Sequence, residues 1–244
     1  MVSAFPRGLG GASFEHVLRQ HALVVVFALD DWSAWTSDAL DLLDAREHER
    51  VRRQRRERDR HRMALAYALH RLLLAQALRM APAHVPLGRD ARGRPVLAGL
   101  EAVTSLSHAD GHVAVAVTLH GPIGVDIEPV HRVGTMADIA ERICHGDERT
   151  SVAGRRDAGR GAALLDLWVR KEAFLKAAGV GLAREMDTFA LPEGMPTCLH
   201  PGQSVQVRTD LLDLGPDVVC AVSRRPDIAC AAGRVGPVGA GDLR

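Results

Sequence analysis

Residues 112–128 read His-Val-Ala-Val-Ala-Val-Thr-Leu-His-Gly-Pro-Ile-Gly-Val-Asp-Ile-Glu. Two runs rich in β-branched residues, His112–Leu119 and Ile123–Glu128, flank a Gly121-Pro122 turn signal, and this spacing predicts an antiparallel hairpin. Upstream, Leu23–Leu29 (Leu-Val-Val-Val-Phe-Ala-Leu) is short, apolar and β-branched, which predicts a buried strand. Between Ser37 and Met80 the pattern becomes helical. Asp38 and Asp41 suit a helix start, Leu65, Leu69, Leu72 and Leu73 recur at helical spacing, and Pro82 and Pro86 close the stretch. Downstream, Thr135–Ile143 reads as a helix and Gly154–Gly161 as a Gly/Arg-rich loop. A long helix over Ala162–Ala178 follows, ended by Gly179. Strands are expected near Thr188–Leu191, Ser204–Leu211, Val218–Ser223 and Ile228–Ala232. Each half thus carries helix together with antiparallel strands, an α+β layering. The expected division is residues 1–121, residues 122–232 and a Gly-rich, frayed tail over 233–244.

The composition narrows the classes. In 244 residues, 47% are hydrophobic and 25% charged, enough to build a core and unlike a disordered or coiled-coil chain. No apolar run approaches the ~20 residues that span a bilayer, and the first residues do not have the pattern of a signal peptide. Cys144, Cys198, Cys220 and Cys230 form no C-x-x-C pair and read as reduced thiols, so a cytoplasmic protein is expected. A net charge of +1 argues against a dedicated nucleic-acid binder.

Asp126 and Glu128 are two apart on a strand, so both carboxylates share one face while Ile123, Val125 and Ile127 take the other. Adjacent carboxylates repel unless a cation or a proton lies between them, and hard oxygen ligands of this kind suit Mg²⁺. The same pattern also describes an edge strand with solvated acids. On the Ala162–Ala178 helix, Trp168, Glu172 and Lys176 stack at intervals of four. A Glu–Lys pair at this spacing is ordinarily a surface ion pair, yet the 31 basic residues comprise 29 arginines and only Lys171 and Lys176, both beside Glu172. Lysine is a compact point charge suited to phosphate, so the pair suggests that this helix lines a site. Ser107-His108 is placed in a loop ahead of the His112 strand, from which His108 could serve a phosphate. Gly93-Arg94-Pro95 is a turn that aims Arg94. Eight arginines lie between Arg50 and Arg62 without interleaved aromatic residues. This segment suits a multiply phosphorylated small molecule, nucleic-acid phosphates, or a solvated helix face, and it is no base-stacking platform.

Together these elements resemble the 4′-phosphopantetheinyl transferase superfamily, specifically the larger monomeric type serving peptide synthetases and polyketide synthases. The likeness runs from about Arg46 to Phe189. Three motifs carry it in the family's order: Gly93-Arg94-Pro95, Gly124-Val125-Asp126-Ile127-Glu128, and Trp168-Val169-Arg170-Lys171-Glu172-Ala173-Phe174-Leu175-Lys176. The resemblance implies two similar α+β halves, related by a pseudo-twofold axis, with the active site in the cleft between them. It also implies transfer of 4′-phosphopantetheine from coenzyme A to a serine of an apo acyl or peptidyl carrier protein, releasing 3′,5′-ADP.

By the same likeness, Asp126, Glu128 and Glu172 hold Mg²⁺, with Mn²⁺ as an alternative, and Glu172, Lys176 and His108 are the catalytic residues. Arg50, Arg58, Arg89, Arg94, Ser107, His108 and Lys176 bind coenzyme A. Acidic carrier proteins would dock on a basic or apolar patch that includes Val133–Ile143. The resemblance further implies a cytoplasmic monomer acting in pathways such as antibiotic biosynthesis. Two departures stand out: Arg94 replaces the usual lysine of the Gly-x-Pro motif, and Met63 stands where some relatives have threonine. The residues alone leave two other functions open, an Arg-rich nucleic-acid-binding module and a Mg²⁺-dependent phosphohydrolase using the same carboxylates.

Overall fold

In the computed structural model, residues 1–155, 157–181 and 184–239 are described. The main strands are β1 (Ala22–Ala28), β2 (Leu87–Arg89), β3 (Pro95–Leu97), β4 (Val103–Ala109), β5 (His112–Thr118), β6 (Ile123–Pro129), β7 (Gln206–Leu212), β8 (Val218–Arg224) and β9 (Cys230–Arg234). The helices that matter for the site are α1 (Ala45–Arg52), α2 (Glu57–Ala77), α3 (Gly146–Ala153) and α4 (Asp157–Ala178). One four-stranded sheet runs β9-β1-β5-β4. The other runs β6-β8-β7 and ends on the short Thr197–Cys198 strand.

The two halves repeat each other. In the first, β1 pairs antiparallel with β5 and β5 with β4; in the second, β6 pairs antiparallel with β8 and β8 with β7. A long helix covers each sheet. Leu65, Leu69, Leu72 and Leu73 of α2 share a core with Leu23, Val25 and Phe27, and Leu164, Leu165 and Val169 of α4 share one with Ala221. Between the sheets lies a third core, where Val24, Val26, Ala114 and Ala116 meet Ile123, Val125, Ile127 and Val222. Strands buried on both faces need apolar residues throughout, which is why Leu23–Ala28 shows no alternation.

The likeness extends to a buried cation in each half. Asp44 and Glu47 form a capping box at the start of α1, and the Glu47 carboxylate accepts a 2.7 Å hydrogen bond from Arg71, which also donates to the Val85 carbonyl. His145 and Glu148 form the matching box at the start of α3. Glu148 accepts a 2.6 Å bond from Lys171, whose ammonium also reaches the carbonyls of Ile143, Met186 and Phe189. A buried cation must be paired and hydrogen-bonded, and each hub meets that need by tying a short helix and a loop to the long helix.

Several expectations are corrected. β5 and β6 are not a hairpin: both edges of β5 are already bonded, to β1 and β4, so Leu119–Pro122 carries the chain into the other sheet. The helical stretch from Ser37 breaks into a Thr36–Asp41 helix, α1 and α2. The expected helix over Thr135–Ile143 is mostly 3₁₀, spanning Val130–Ile139 before a single turn Ala140–Ile143. α4 begins inside the expected Gly/Arg-rich loop, and Thr188–Leu191, expected as a strand, is not one: a 3₁₀ turn over Met186–Thr188 runs into irregular chain. The last strand, β9, crosses back and pairs parallel with β1. Beyond it the Val235 and Val238 amides donate to Val26 and Ala4, so the tail expected to fray is docked that far. Residues 240–244 of that tail lie outside the described residues.

Candidate active site

The site forms where β6 passes under α4. A Cβ on Gly124 would stand 2.0 Å from the Ala173 carbonyl oxygen and 2.4 Å from the Ala177 amide nitrogen, so only glycine lets the helix lie directly on the strand. With α4 seated there, Glu172 and Lys176 come over the face that carries Asp126 and Glu128. Lys176 Nζ donates to Asp126 Oδ1 at 2.7 Å. On the opposite side of this contact is the edge strand β4. Ser105 Oγ accepts from the Val125 amide at 3.1 Å, and Ser107 Oγ donates to Asp126 Oδ1 at 2.7 Å. Ser107 and His108 therefore sit on a strand, not in the expected loop, and Ser107 braces Asp126 rather than facing open space.

Each carboxylate has distinct surroundings. Asp126 is buried, with Oδ1 receiving two donors and Oδ2 buried without a partner among the described residues. Burial raises the pKa of Glu172, the nearby Asp126 and Glu128 charges raise it further, and Lys176 opposes them. Glu128 is likewise raised, first by burial and then by Asp126, against the pull of Arg132 and Lys176. Arg132 forms an ion pair with Glu128 while lying 5.5 Å from the Trp168 ring centroid. Mutual repulsion among the acids is thus relieved by Lys176 and Arg132, and among the described residues no three His, Cys, Asp or Glu side chains form a ready-made metal cage. The donor set nonetheless suits a hard cation. The oxygens are carboxylates, and Asp126 Oδ2 is a buried acceptor that no donor among the described residues reaches.

Beyond the carboxylates, cations and polar groups line a cavity of about 450 Å³ bounded by Arg50, Arg53, Tyr67, Arg89, Leu106 and His108. His108 opens onto it. Crowding by the protein lowers the His108 pKa, and the charges of Lys176 and Arg89 lower it further, so near neutral pH the imidazole is uncharged and can still donate one N–H. Arg89 donates to the Gly93 carbonyl at 2.9 Å and lies 4.8 Å over the Tyr67 ring centroid. The Gly93-Arg94-Pro95 turn, between β2 and β3, adjoins both regions. Arg50 borders Gly93, Arg94 is paired with Asp90, and Arg92 donates to the Gly179 carbonyl at the end of α4. Gly179 has φ +67°, and Arg94 fills the space a side chain there would need.

The sequence-derived residues therefore divide. Asp126, Glu128, Glu172, Lys176 and Ser107 meet at one end, with His108, Arg89 and Arg50 leading away and Arg94 bordering the same turn. Arg58 is elsewhere, in a separate hollow with Asp30, Ser33, His61 and Arg62. Lys171 is the other correction. Its side chain is fully buried in the hub and paired with Glu148, so the rarity of lysine marked one site residue and one structural residue. Arg53 and Arg132 were missed. Arg53 could have been found from its place three residues after Arg50, one helical turn on. Arg132 follows Glu128 across a strand end, where no periodicity predicts contact.

Residues 122–231 match the model of the 4′-phosphopantetheinyl transferase superfamily, and residues 30–120 match that of the 4′-phosphopantetheinyl transferase N-terminal region. The chain is 31% identical over 150 residues to a 4′-phosphopantetheinyl transferase of Bacillus subtilis, covering 61% of this chain and 66% of that protein. It is 26% identical over 203 residues to the 4′-phosphopantetheinyl transferase HetI of Nostoc sp., covering 80% and 83% respectively. The match to the 4′-phosphopantetheinyl transferase Sfp of Bacillus subtilis is 25% over 153 residues, covering 62% of this chain and 67% of that one.

Proposed function

The chain belongs to the 4′-phosphopantetheinyl transferase superfamily and is a transferase of phosphopantetheine to carrier proteins, and on that premise we propose how its own residues bind coenzyme A and perform the transfer. The supporting observation is the line of groups from the three carboxylates through Lys176 and His108 to Arg89, Arg50 and Arg53. A nucleotide with a pyrophosphate at one end and a 3′-phosphate at the other matches that line. Lys176 and the neutral His108 take the pyrophosphate oxygens, and Arg50, Arg53, Arg89 and Arg94 address the 3′-phosphate and adenine end.

In the reaction, the serine oxygen of the carrier bonds to the phosphorus bearing pantetheine, the P–O bond to 3′,5′-ADP breaks, and the serine proton must leave. Glu172 takes that proton, directly or through water. Lys176 stabilises charge gathering on the bridging and equatorial oxygens by leaving Asp126 for the phosphates. Ser107 keeps Asp126 oriented as Lys176 turns away. Asp126, Glu128 and Glu172 would hold Mg²⁺, which when bound supplies neutralising charge at the pyrophosphate.

The carriers are acyl or peptidyl carrier proteins, and the enzyme works as a cytoplasmic monomer in pathways such as antibiotic biosynthesis. Several arginines of the 50–62 segment are engaged by groups of the protein itself. Arg53 pairs with Glu49, Arg60 donates to the Gln54 and Arg55 carbonyls, and Arg62 pairs with Asp110. Incubation with coenzyme A, Mg²⁺ and apo carrier proteins, followed by mass spectrometry of the carrier, tests the proposal. The expected result is a carrier heavier by one phosphopantetheine, lost on chelation of the metal and in Asp126→Ala and Glu172→Ala. No adduct on any of several carriers overturns the activity, with free phosphopantetheine favouring the phosphohydrolase. An adduct that survives both substitutions overturns the site assignment.

A further inference from the structure

The Arg132 guanidinium occupies an unusual place. The chain leaves β6 at Pro129 and turns into the Val130–Ile139 3₁₀ segment, which packs on α4 and returns Arg132 to Glu128, four residues back. The pair is shielded on both sides, with 14% of the Glu128 side chain and 33% of that of Arg132 exposed. The guanidinium also lies over the Trp168 indole, on the same helix face as Glu172 and Lys176. Two of the three site carboxylates are thus held by cations. Lys176 leads on to the arginine-lined cavity, whereas Arg132 belongs to the segment on the other side of the carboxylates and rests at once on Glu128 and on the indole face.

We propose that Arg132 is a competing counter-ion for the metal position, pairing with Glu128 until a divalent cation displaces it, with the Trp168 indole keeping the guanidinium nearby. The inference rests on the assignment of Asp126, Glu128 and Glu172 as metal ligands. Its physical basis is charge. A carboxylate already neutralised by a guanidinium attracts a dication less, and the displaced positive charge stays close by, so free metal binds weakly. Coenzyme A restores the attraction by bringing its own negative charge to the site, which makes metal and nucleotide enter together.

The test is titration of the whole protein with Mn²⁺ alone, followed by electron paramagnetic resonance of the free ion, in wild type, Arg132→Gln, Arg132→Met, Arg132→Lys and Asp126→Asn. Near-ultraviolet circular dichroism of each variant checks its fold. Both neutral substitutions should tighten Mn²⁺ binding about two- to fivefold, the scale of a partly exposed ion pair, while Arg132→Lys stays near wild type. Because two neutral variants are read, failure of one to fold leaves the other to decide. Unchanged or weaker Mn²⁺ binding in the neutral variants, with binding still abolished by Asp126→Asn, overturns the role of Arg132 and leaves the metal site standing. Mn²⁺ binding indifferent to Asp126→Asn overturns the metal site, and the inference with it.

Discussion

β1 and β6 hold the same place in the two halves, each paired with the middle strand of its sheet and each lying under a long helix. On β1 the helix-facing residues are Leu23, Val25 and Phe27, all fully buried against α2. On β6 the matching positions are Gly124, Asp126 and Glu128 under α4. The helices differ in the same way, with Ala68, Leu72 and Gln76 standing 100 positions before Trp168, Glu172 and Lys176. Outside this face the halves agree in strand order, in capping boxes and in buried hub cations. One framework thus serves twice, and the second copy has given up part of its core beneath the helix for a charged site. Three carboxylates gathered between a strand and a helix are unfavourable in folding terms, and the hub and the apolar cores of the second half offset them.

The comparison can be broken most directly by Asp126→Val, which restores the first half's residue. Activity should fall on the order of 10³-fold. Stability in urea should stay within about 1 kcal/mol of wild type, because Lys176, 28% exposed, can turn to water and the buried carboxylate is gone. A large loss of stability would mean that the site also holds the fold together. Next come the hubs. Lys171→Met and Arg71→Met should each destabilise by about 3–5 kcal/mol, since each leaves a glutamate without its buried partner. Denaturant unfolding measures both, and a much smaller loss for one would show that the hubs are alike in geometry only.

Lys176→Arg should lower kcat/KM by about tenfold or more without moving the melting temperature, because a planar fork cannot replace a point charge that turns from carboxylate to phosphate. A further contrast concerns the residue before each hub cation, His70 in one half and Arg170 in the other. His70 is fully buried and bonds to Thr104 at 2.8 Å, and burial lowers its pKa to about 3. Its unfolded pKa is near 6.5, so below that value the unfolded chain takes up a proton that the folded one refuses. Stability is therefore complete above pH 6.5 and falls with acidification, by about 1.4 kcal/mol per pH unit until the folded pKa is reached. Unfolding curves between pH 7 and pH 5 should show this slope, and His70→Gln should reduce it. An unchanged slope would assign the acid sensitivity to another group.

The residues of the site were legible in the sequence where one element carried them. Strand alternation joined Asp126 to Glu128, and helical spacing joined Trp168, Glu172 and Lys176. What was hidden depends on pairing between distant segments. The runs 112–119 and 123–128 look like a hairpin because local spacing contains no trace of β1 and β4 occupying both edges of β5. The rarity of lysine could not separate Lys176 from Lys171, because burial and the four partners of Lys171 come from segments 15 to 28 residues away. The arginine run likewise reads as one unit, yet the break between α1 and α2 sends Arg50 and Arg53 to the cavity and Arg58 to another surface.

The strand that crosses back has a consequence for how such a chain can be divided. Its five residues lie beside β1 although they come from the far end of the second half. A gene cut between residues 121 and 122 would therefore not encode two modules. The upstream product would lack the partner of its β1 edge and expose a row of free amides and carbonyls there, a template for self-association. The downstream product would carry an orphan strand. Co-expression could rejoin them only as a complemented pair, so the repeat seen in the architecture has lost the independence of its units.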